Sequence, residues 1–584
     1  MTKKFIDVMD TTFRDGFQSV FGGRVLMEDF LPAVDFAKKA GINHFEFGGG
    51  ARFQSLYFYL NEDAFEMMDR FRAIVGDNVN LQTLSRGINT VTLETGSKEL
   101  IDLHAKLFKK HGTTTVRNFD ALNDVDNLIY PAKKIKSYGL KHEVVITMMD
   151  LPPGCHGTHD VAFYEQTLRD ILNSGMEFDS ICFKDASGTS NPNKVYETIK
   201  MARGLLPKNM HIRLHTHETA GVSVAAYLAA LEAGVDGIDL AAAPVSGGTS
   251  QPDILTMMHA LKGTKFNLGG LDLYKILRYE KELQHCLSDY FVPPEATKVS
   301  SMIPFSPMPG GALTANTQMM RDNGIFDKFS QVIEAMGEVV HRGGYGTSVT
   351  PVSQFYFQQA LENVLQGPWK SIAPGFGKMV LGYFGKTPVK PDSEIVKLAS
   401  KQLKLKPTTR KALDIADEDE TKSLAFWRKR LEDEKIKLTD ENLFIAAACQ
   451  DKGIIFLKGE AKVNVRKLSS MPKESISQKN SGSYTVLVDG QRFSVEVADA
   501  DVEISNHKTK IEDKNRIKSL VPGNIWKIPV KVGQKIKKGD TVAVVESMKM
   551  EIDISSNISG TIESIDVKIG DKISEGDIIA HVKP

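Results

Sequence analysis

The sequence predicts an α/β chain: a parallel eight-stranded βα barrel, a mostly helical region, and a small all-β domain at the end. Three observations predict it. Apolar, β-branched runs alternate eight times with amphipathic stretches of roughly fifteen residues over about 260 residues, the arithmetic of a TIM (β/α)8 barrel. From Pro304 to about Ala461 the pattern reads as mostly helical. Near the C-terminus, Val-Gly-Gln-Lys-Ile-Lys-Lys-Gly-Asp (532–540) recurs as Ile-Gly-Asp-Lys-Ile-Ser-Glu-Gly-Asp (569–577), which fits a duplicated β-sandwich punctuated by Gly-Asp turns.

The expected strands are Phe5–Met9, His44–Phe47, Asn80–Leu84, Thr114–Asn118, His142–Thr147, Ser180–Phe183, Ile212–Leu214 and Gly237–Leu240, each followed by a helix candidate. A doubly wound open sheet is the alternative, but no Gly-x-Gly-x-x-Gly turn follows an early strand. A chain of 584 residues is too long for one domain. The expected division is 1–300 barrel, 301–470 helical domain, 471–518 linker and 519–584 β-sandwich. Within the linker, about 484–497 reads as a β-hairpin centred on Asp489-Gly490. The flanking stretches Met471–Ser483 and Asn506–Lys518 are polar and charged, suited to a tether.

Zero net charge argues against nucleic acid or an anionic membrane as a bulk partner. No apolar run reaches the length of a membrane span, so no direct membrane insertion is expected, and Met-Thr-Lys-Lys-Phe-Ile-Asp is not a signal peptide. The four cysteines, Cys155, Cys182, Cys286 and Cys449, lack metal or disulfide spacing. Together these place the chain in a reducing compartment, the cytoplasm.

In such a barrel, chemistry gathers at the C-terminal strand ends. Those ends read Asp-Thr-Thr-Phe-Arg-Asp-Gly-Phe-Gln (10–18), Ser-Arg-Gly (85–87), Phe-Lys-Asp-Ala-Ser-Gly (183–188) and Leu-His-Thr-His-Glu-Thr-Ala-Gly (214–221). His215 and His217 sit two apart, so in a strand both imidazoles point to one side. Two imidazoles with a carboxylate, which Asp15 can supply, suit zinc or a similar divalent ion.

A second oddity lies in Ala-Val-Val-Glu-Ser-Met-Lys-Met-Glu-Ile-Asp (543–553): a lysine, Lys549, between two methionines in a strand-like run. Strand cores exclude lysine unless its ammonium reaches water, so a hairpin tip is expected, between the two Gly-Asp copies. This segment resembles the biotinyl domain of biotin-dependent carboxylases, whose Met-Lys-Met hairpin presents the lysine that a biotin protein ligase modifies. The resemblance implies covalent biotin on Lys549.

Asp10-Thr-Thr-Phe-Arg-Asp15 with the later His-Thr-His resembles the metal-dependent barrels of 3-hydroxy-3-methylglutaryl-CoA lyase, 2-isopropylmalate synthase and the biotin-dependent carboxyltransferases. Phe183-Lys184-Asp185 is most similar to the corresponding segment of pyruvate carboxylase and the oxaloacetate decarboxylase α subunit. That resemblance implies a carbamylated Lys184 as a metal ligand beside Asp15, His215 and His217. Zinc is the ion expected, with manganese or cobalt the alternatives. It also implies that Arg86 and Gln18, with Arg14 nearby, anchor pyruvate, and that Thr350 in Ser-Val-Thr-Pro-Val-Ser (348–353) relays a proton between pyruvate and biotin. The helical region, with Met-Pro-Gly-Gly-Ala-Leu-Thr at 308–314, resembles the domain that folds over the barrel mouth in that family.

Departures from the family pattern fall at Gly16, Phe17, Ala186, Ser187 and Glu218, beside the ligand residues. They leave open another 2-oxo acid, such as 2-oxoglutarate. The chain shows no ATP-binding glycine loop, so a separate ATP-dependent biotin carboxylase subunit is expected. The family precedent is a homo-oligomer with a dimeric transferase core. Two directions are open: carboxylation of pyruvate to oxaloacetate, or decarboxylation of oxaloacetate by the α subunit of a membrane sodium pump. The short, charged linker weighs for the first, since those α subunits tend to have long Pro/Ala-rich linkers.

Overall fold

The computed structural model describes residues 3–470, 482–488, 491–497, 515–519, 521–547, 550–574 and 576–583. The chain divides into two compact units, one ending at Arg466 and the other beginning at Lys467.

The first unit is built on a closed parallel barrel. Its strands are β1 (Lys4–Asp10), β2 (His44–Gly49), β3 (Asn80–Ser85), β4 (Thr115–Asn118), β5 (Lys141–Thr147), β6 (Ser180–Asp185), β7 (His211–Thr216) and β8 (Gly237–Leu240). Each pairs with the next, and β1 closes the ring by pairing with β8 (Asp10↔Leu240) and β2 (Asp10↔Phe45). The strands are buried on both faces, with polar and charged side chains such as Gln82, Arg117, Glu143 and Arg213 set among the apolar ones. A helix follows every strand, from Met27–Lys39 after β1 to Ile254–Ala260 after β8. All eight expected strands are present, and a ninth, β9 (Phe266–Leu268), runs parallel to the first half of β1. Three residues are too few for any periodicity to announce them.

Several strands run further than the sequence suggests, β2 through Gly48 and Gly49 among them. β6 continues through Lys184 and Asp185, and β7 through His215 and Thr216, pairing Lys184 with His215 across the ladder. Charged residues read as a strand's end, but at a barrel mouth they face one another across the ring.

Eight helices of six or more residues, from Gly310–Asp322 to Asp440–Leu457, form the region after the barrel. Its contacts with the barrel include one set on the mouth and one on the flank. On the mouth, Thr347 N–H donates to the Ala121 carbonyl (2.8 Å) and its hydroxyl meets that of Thr147 (2.8 Å). On the flank, Phe444 of Asp440–Leu457 packs among Phe53, Phe65 and Phe108, while Lys106 pairs with Asp440 at 2.6 Å. Among the described residues no helix is long and apolar enough to cross a membrane.

In the second unit, two four-stranded antiparallel sheets enclose a core that includes Ile525, Val545, Ile554, Ile562 and Ile579. The sequence duplication is a structural one. Gly533 and Gly570 both take positive φ (86° and 93°), as do Gly539 and Gly576 (98° and 89°), where a residue with a Cβ would be strained. Asp540 accepts from Lys537 N–H and Asp577 from Ser574 N–H, each at 2.7 Å. The hairpin Thr541–Ser547/Met550–Ser555 carries its pairing out to Ser547↔Met550; Met548 and Lys549 lie outside the described residues. Ahead of it, Gly482–Val488 and Gln491–Val497 pair antiparallel, as expected for a hairpin, while its centre, Asp489-Gly490, lies outside the described residues.

Candidate active site at the barrel mouth

Asp10 ends β1 and its carboxylate accepts from Thr12 N–H (2.9 Å), the Thr12 hydroxyl and the Tyr279 hydroxyl (2.8 Å). These bonds turn the chain into a wide helical turn, Thr12–Gly16, that splits its side chains in two directions. Phe13 and Phe17 enter an aromatic cluster with Phe30, their ring centroids 5.2–5.8 Å apart. Arg14 and Asp15 join the polar groups of the mouth. Phe17, a departure from the family pattern, therefore fills core and leaves the donors untouched.

Asp15, Lys184, His215 and His217 converge there, all buried. Asp15 Oδ2 stands 3.2 Å from His215 Nε2 and 3.3 Å from His217 Nε2, and the two Nε2 atoms are 3.0 Å apart. Lys184 Nζ lies 2.6 Å from His215 Nε2 and 3.7 Å from Asp15 Oδ2. Both imidazoles are aimed from behind. His215 Nδ1 faces Asp239 Oδ2 at 2.8 Å, and His217 Nδ1 donates to the Thr249 carbonyl at 2.7 Å. With protons on Nδ1, both Nε2 lone pairs point at one spot and repel unless a cation lies between them. Tetrahedral bonds of 2.0–2.1 Å put ligand atoms about 3.3 Å apart. The Asp15, His215 and His217 donors, 3.0–3.3 Å from one another, fit a divalent ion.

Burial pushes the Asp15 carboxyl up, but the Arg14 and Lys184 charges outweigh it and hold the group well below the usual carboxylate range. Burial depresses the Lys184 ammonium, with Asp15 opposing and Arg14 adding to the effect. Burial and the Lys184 charge together push the His215 imidazole down, leaving it neutral and able to lend its lone pair.

Arg14 engages Glu46 Oε2 (2.6 Å), Asp15 Oδ1 (3.1 Å) and Gln18 Oε1 (3.4 Å), so it ties the mouth together. Arg86 donates through Nη1 to the Val91 and Thr92 carbonyls (2.6 and 3.0 Å). Burial, then the nearby Arg14 charge, lowers the Arg86 guanidinium to about 9. Its Nε, like that of Arg14, is buried without a partner among the described residues, a costly state unless a ligand meets it. Thr350 is half-buried, and its hydroxyl has no hydrogen-bond partner among the described residues. It follows Thr347 and Ser348, which are pinned to the barrel mouth and to the Pro307 carbonyl.

Sequence reasoning missed four contributors. Asp239 and Glu46 are charged residues inside strands that read as apolar; a carboxylate in mid-strand was the available signal. Gln251 has none: its Nε2 donates to Asp15 Oδ2 (3.1 Å) and lies 3.0 Å from His217 Nε2, while its Oε1 accepts from the Thr11 hydroxyl (2.7 Å). Gly310 opens the helix Gly310–Asp322, which lies directly on the site. A Cβ there would stand 1.6 Å from the Thr249 oxygen and 3.0 Å from His217 Nδ1. Gly310→Ala is therefore expected to cost about 1–3 kcal/mol by overpacking and to loosen His217. Thermal melts and a zinc competition assay check this; parent-like values in both contradict it.

Two other departures have local explanations. The Ser187 hydroxyl donates to Asp185 and accepts from the Thr189 hydroxyl (both 2.8 Å), and Glu218 accepts backbone N–H groups from Ser223 and Val224 at the start of the next helix.

The profile of the conserved carboxylase domain matches residues 303–504, that of biotin-requiring enzymes 516–582, and an HMGL-like profile 113–282. With the barrel and its donor set, these place the chain among the biotin-dependent carboxyltransferases. It is 31% identical to a pyruvate carboxylase subunit of Methanocaldococcus jannaschii, over 93% of this chain and 94% of that one. The like-named subunit of Methanothermobacter thermautotrophicus is 29% identical, over 94% of each. The chain belongs to this family of pyruvate carboxylase subunits. Among solved structures, the carboxyl transferase domain of Rhizobium etli pyruvate carboxylase with 3-hydroxypyruvate superposes with a TM-score of 0.71. It is 27% identical and covers 78% of this chain and 77% of that one.

Proposed function

We propose that this chain is the carboxyltransferase and biotin-carrier subunit of a two-subunit pyruvate carboxylase, moving CO2 from carboxybiotin to pyruvate to give oxaloacetate. The observation that carries the reading is the convergence of Asp15, Lys184, His215 and His217 at the barrel mouth, in one chain with a biotinyl domain.

Asp15, a carbamylated Lys184, His215 and His217 would hold the ion, zinc first and manganese or cobalt next. When bound, it supplies a Lewis acid for the keto oxygen of pyruvate. Lys184 reaches its carbamate when the neutral Nζ adds to CO2 and gives up a proton, a step that its depressed pKa favours. Arg86, Gln18 and Arg14 orient the substrate carboxylate and carbonyl; the unpartnered Nε atoms of both arginines support this. The Thr350 hydroxyl gives its proton to the biotin ring nitrogen as CO2 leaves it, and takes one from the pyruvate methyl in the same concerted relay. The electron pair freed at the methyl carbon forms the new bond to CO2.

Biotin is attached through Lys549 by a biotin protein ligase. A separate ATP-dependent biotin carboxylase loads it, and the transferase units pair as dimers. The tether makes delivery intramolecular, at a concentration set by its length. The reverse direction, within a sodium pump, is not favoured, because both relatives above carry the pyruvate carboxylase name.

Avidin capture from native extract tests the proposal. The expected result is a co-purifying biotin carboxylase and oxaloacetate formation that needs ATP, bicarbonate and pyruvate. A polytopic membrane partner with decarboxylation alone overturns the direction. Failure of capture overturns the carrier role.

A further inference from the structure

Barrel interiors of this kind are filled by layers of branched aliphatic side chains. Beneath the site of this one lies a closed ring of four charges. Arg117 of β4 meets Asp239 of β8 (Nη1 to Oδ2, 2.6 Å), and Asp239 meets Arg213 of β7 (Oδ1 to Nη1, 3.0 Å). Arg213 Nε then lies 3.6 Å from Glu143 Oε2 of β5, and Glu143 Oε1 returns to Arg117 Nε at 2.5 Å. All four residues are buried. Two cations and two anions make up the ring, and Asp7 adds a further carboxylate at Arg213 Nη2. Buried ion pairs seldom stabilise more than packed apolar groups of the same size, so stability alone does not account for it.

Two corners of the ring reach the candidate metal site, and Asp239 is the nearer. Asp239 Oδ2, already held by Arg117, also faces His215 Nδ1 at 2.8 Å, while Arg117 Nη1 stands 3.4 Å from the same nitrogen. With each oxygen bonded to an arginine, the carboxylate cannot turn away. His217, by contrast, is aimed by a neutral backbone carbonyl.

We infer that Asp239 is a positioning residue for the metal site: held by Arg117 and Arg213, it fixes His215 as the Nδ1–H tautomer and aims Nε2 at the point shared with Asp15, Lys184 and His217. The inference rests on the metal reading given under the proposed function. An anionic partner behind a histidine ligand fixes the ring and raises its basicity, and losing such a partner typically costs 10–100-fold in metal affinity. In Asp239→Asn the amide can donate to Nδ1 and favour the Nε2–H tautomer, which cannot ligate. Glu143→Gln breaks the opposite side of the same ring without touching His215.

The test is zinc affinity of the full-length chain, by competition with a chromogenic chelator, for the parent, D239N and E143Q. The expected result is a loss of about 10–100-fold in D239N and less than about threefold in E143Q, whatever each costs in melting temperature. Parent-like affinity in D239N, or equal losses in both variants, overturns the inference. A parent chain that binds no divalent ion overturns the metal reading and the inference with it. Should D239N fail to fold, the metal-free parent labelled with 15N-histidine decides instead, with His215→Gln assigning its signals. A protonated Nδ1 at His215 is expected, and a protonated Nε2 overturns the inference.

Discussion

Lys184→Ala is expected to lower carboxyl transfer by on the order of 10³-fold or more while leaving biotin attachment intact. The unmodified ammonium, 2.6 Å from His215 Nε2, would repel a divalent cation. Carbamylation reverses its sign, turning a +1 group into a −1 ligand, so the alanine variant loses an anion as well as a side chain. Lys184→Arg is expected to fail as badly, because the guanidinium is always charged and does not take up CO2. Pyruvate-dependent transfer from carboxybiotin measures the first effect and avidin blotting the second. If either variant keeps more than about a tenth of parental transfer, Lys184 does not have this role.

Lys549→Arg is expected to abolish avidin capture and overall carboxylation together. A ligase forms an amide with a neutral primary amine, which arginine does not offer. The barrel should keep its own chemistry, so oxaloacetate decarboxylation stimulated by free biotin should survive. Its rate should fall by 10²–10⁴ at equal biotin concentration, the advantage a tether typically confers. Loss of both activities would mean that the substitution damaged more than the attachment point. Retained capture would mean that another lysine carries the cofactor.

How much of this was legible in the sequence follows from what each feature depends on. The apolar stretches within the barrel strands announce themselves, so eight were readable, and their C-terminal limits were short where polar or glycine residues, Lys184, His215 and Gly49 among them, looked like a strand's end. The donors Asp15, His215 and His217 were readable because their chemistry is local to strand ends. Lys184 as a ligand, Thr350 and Arg86 came only through family resemblance. What aims the donors was not legible. Asp239 lies 24 residues from His215, and Gln251 lies 236 from Asp15. Those pairings exist only once the ring closes. Gly310 is invisible for a similar reason, since its lack of a side chain matters only against a carbonyl brought there by the fold.

The helical region rests on the site at Gly310 and is clasped to the barrel's flank through Phe444 and the Lys106–Asp440 pair. A roof nailed down at both ends does not work as a hinged lid.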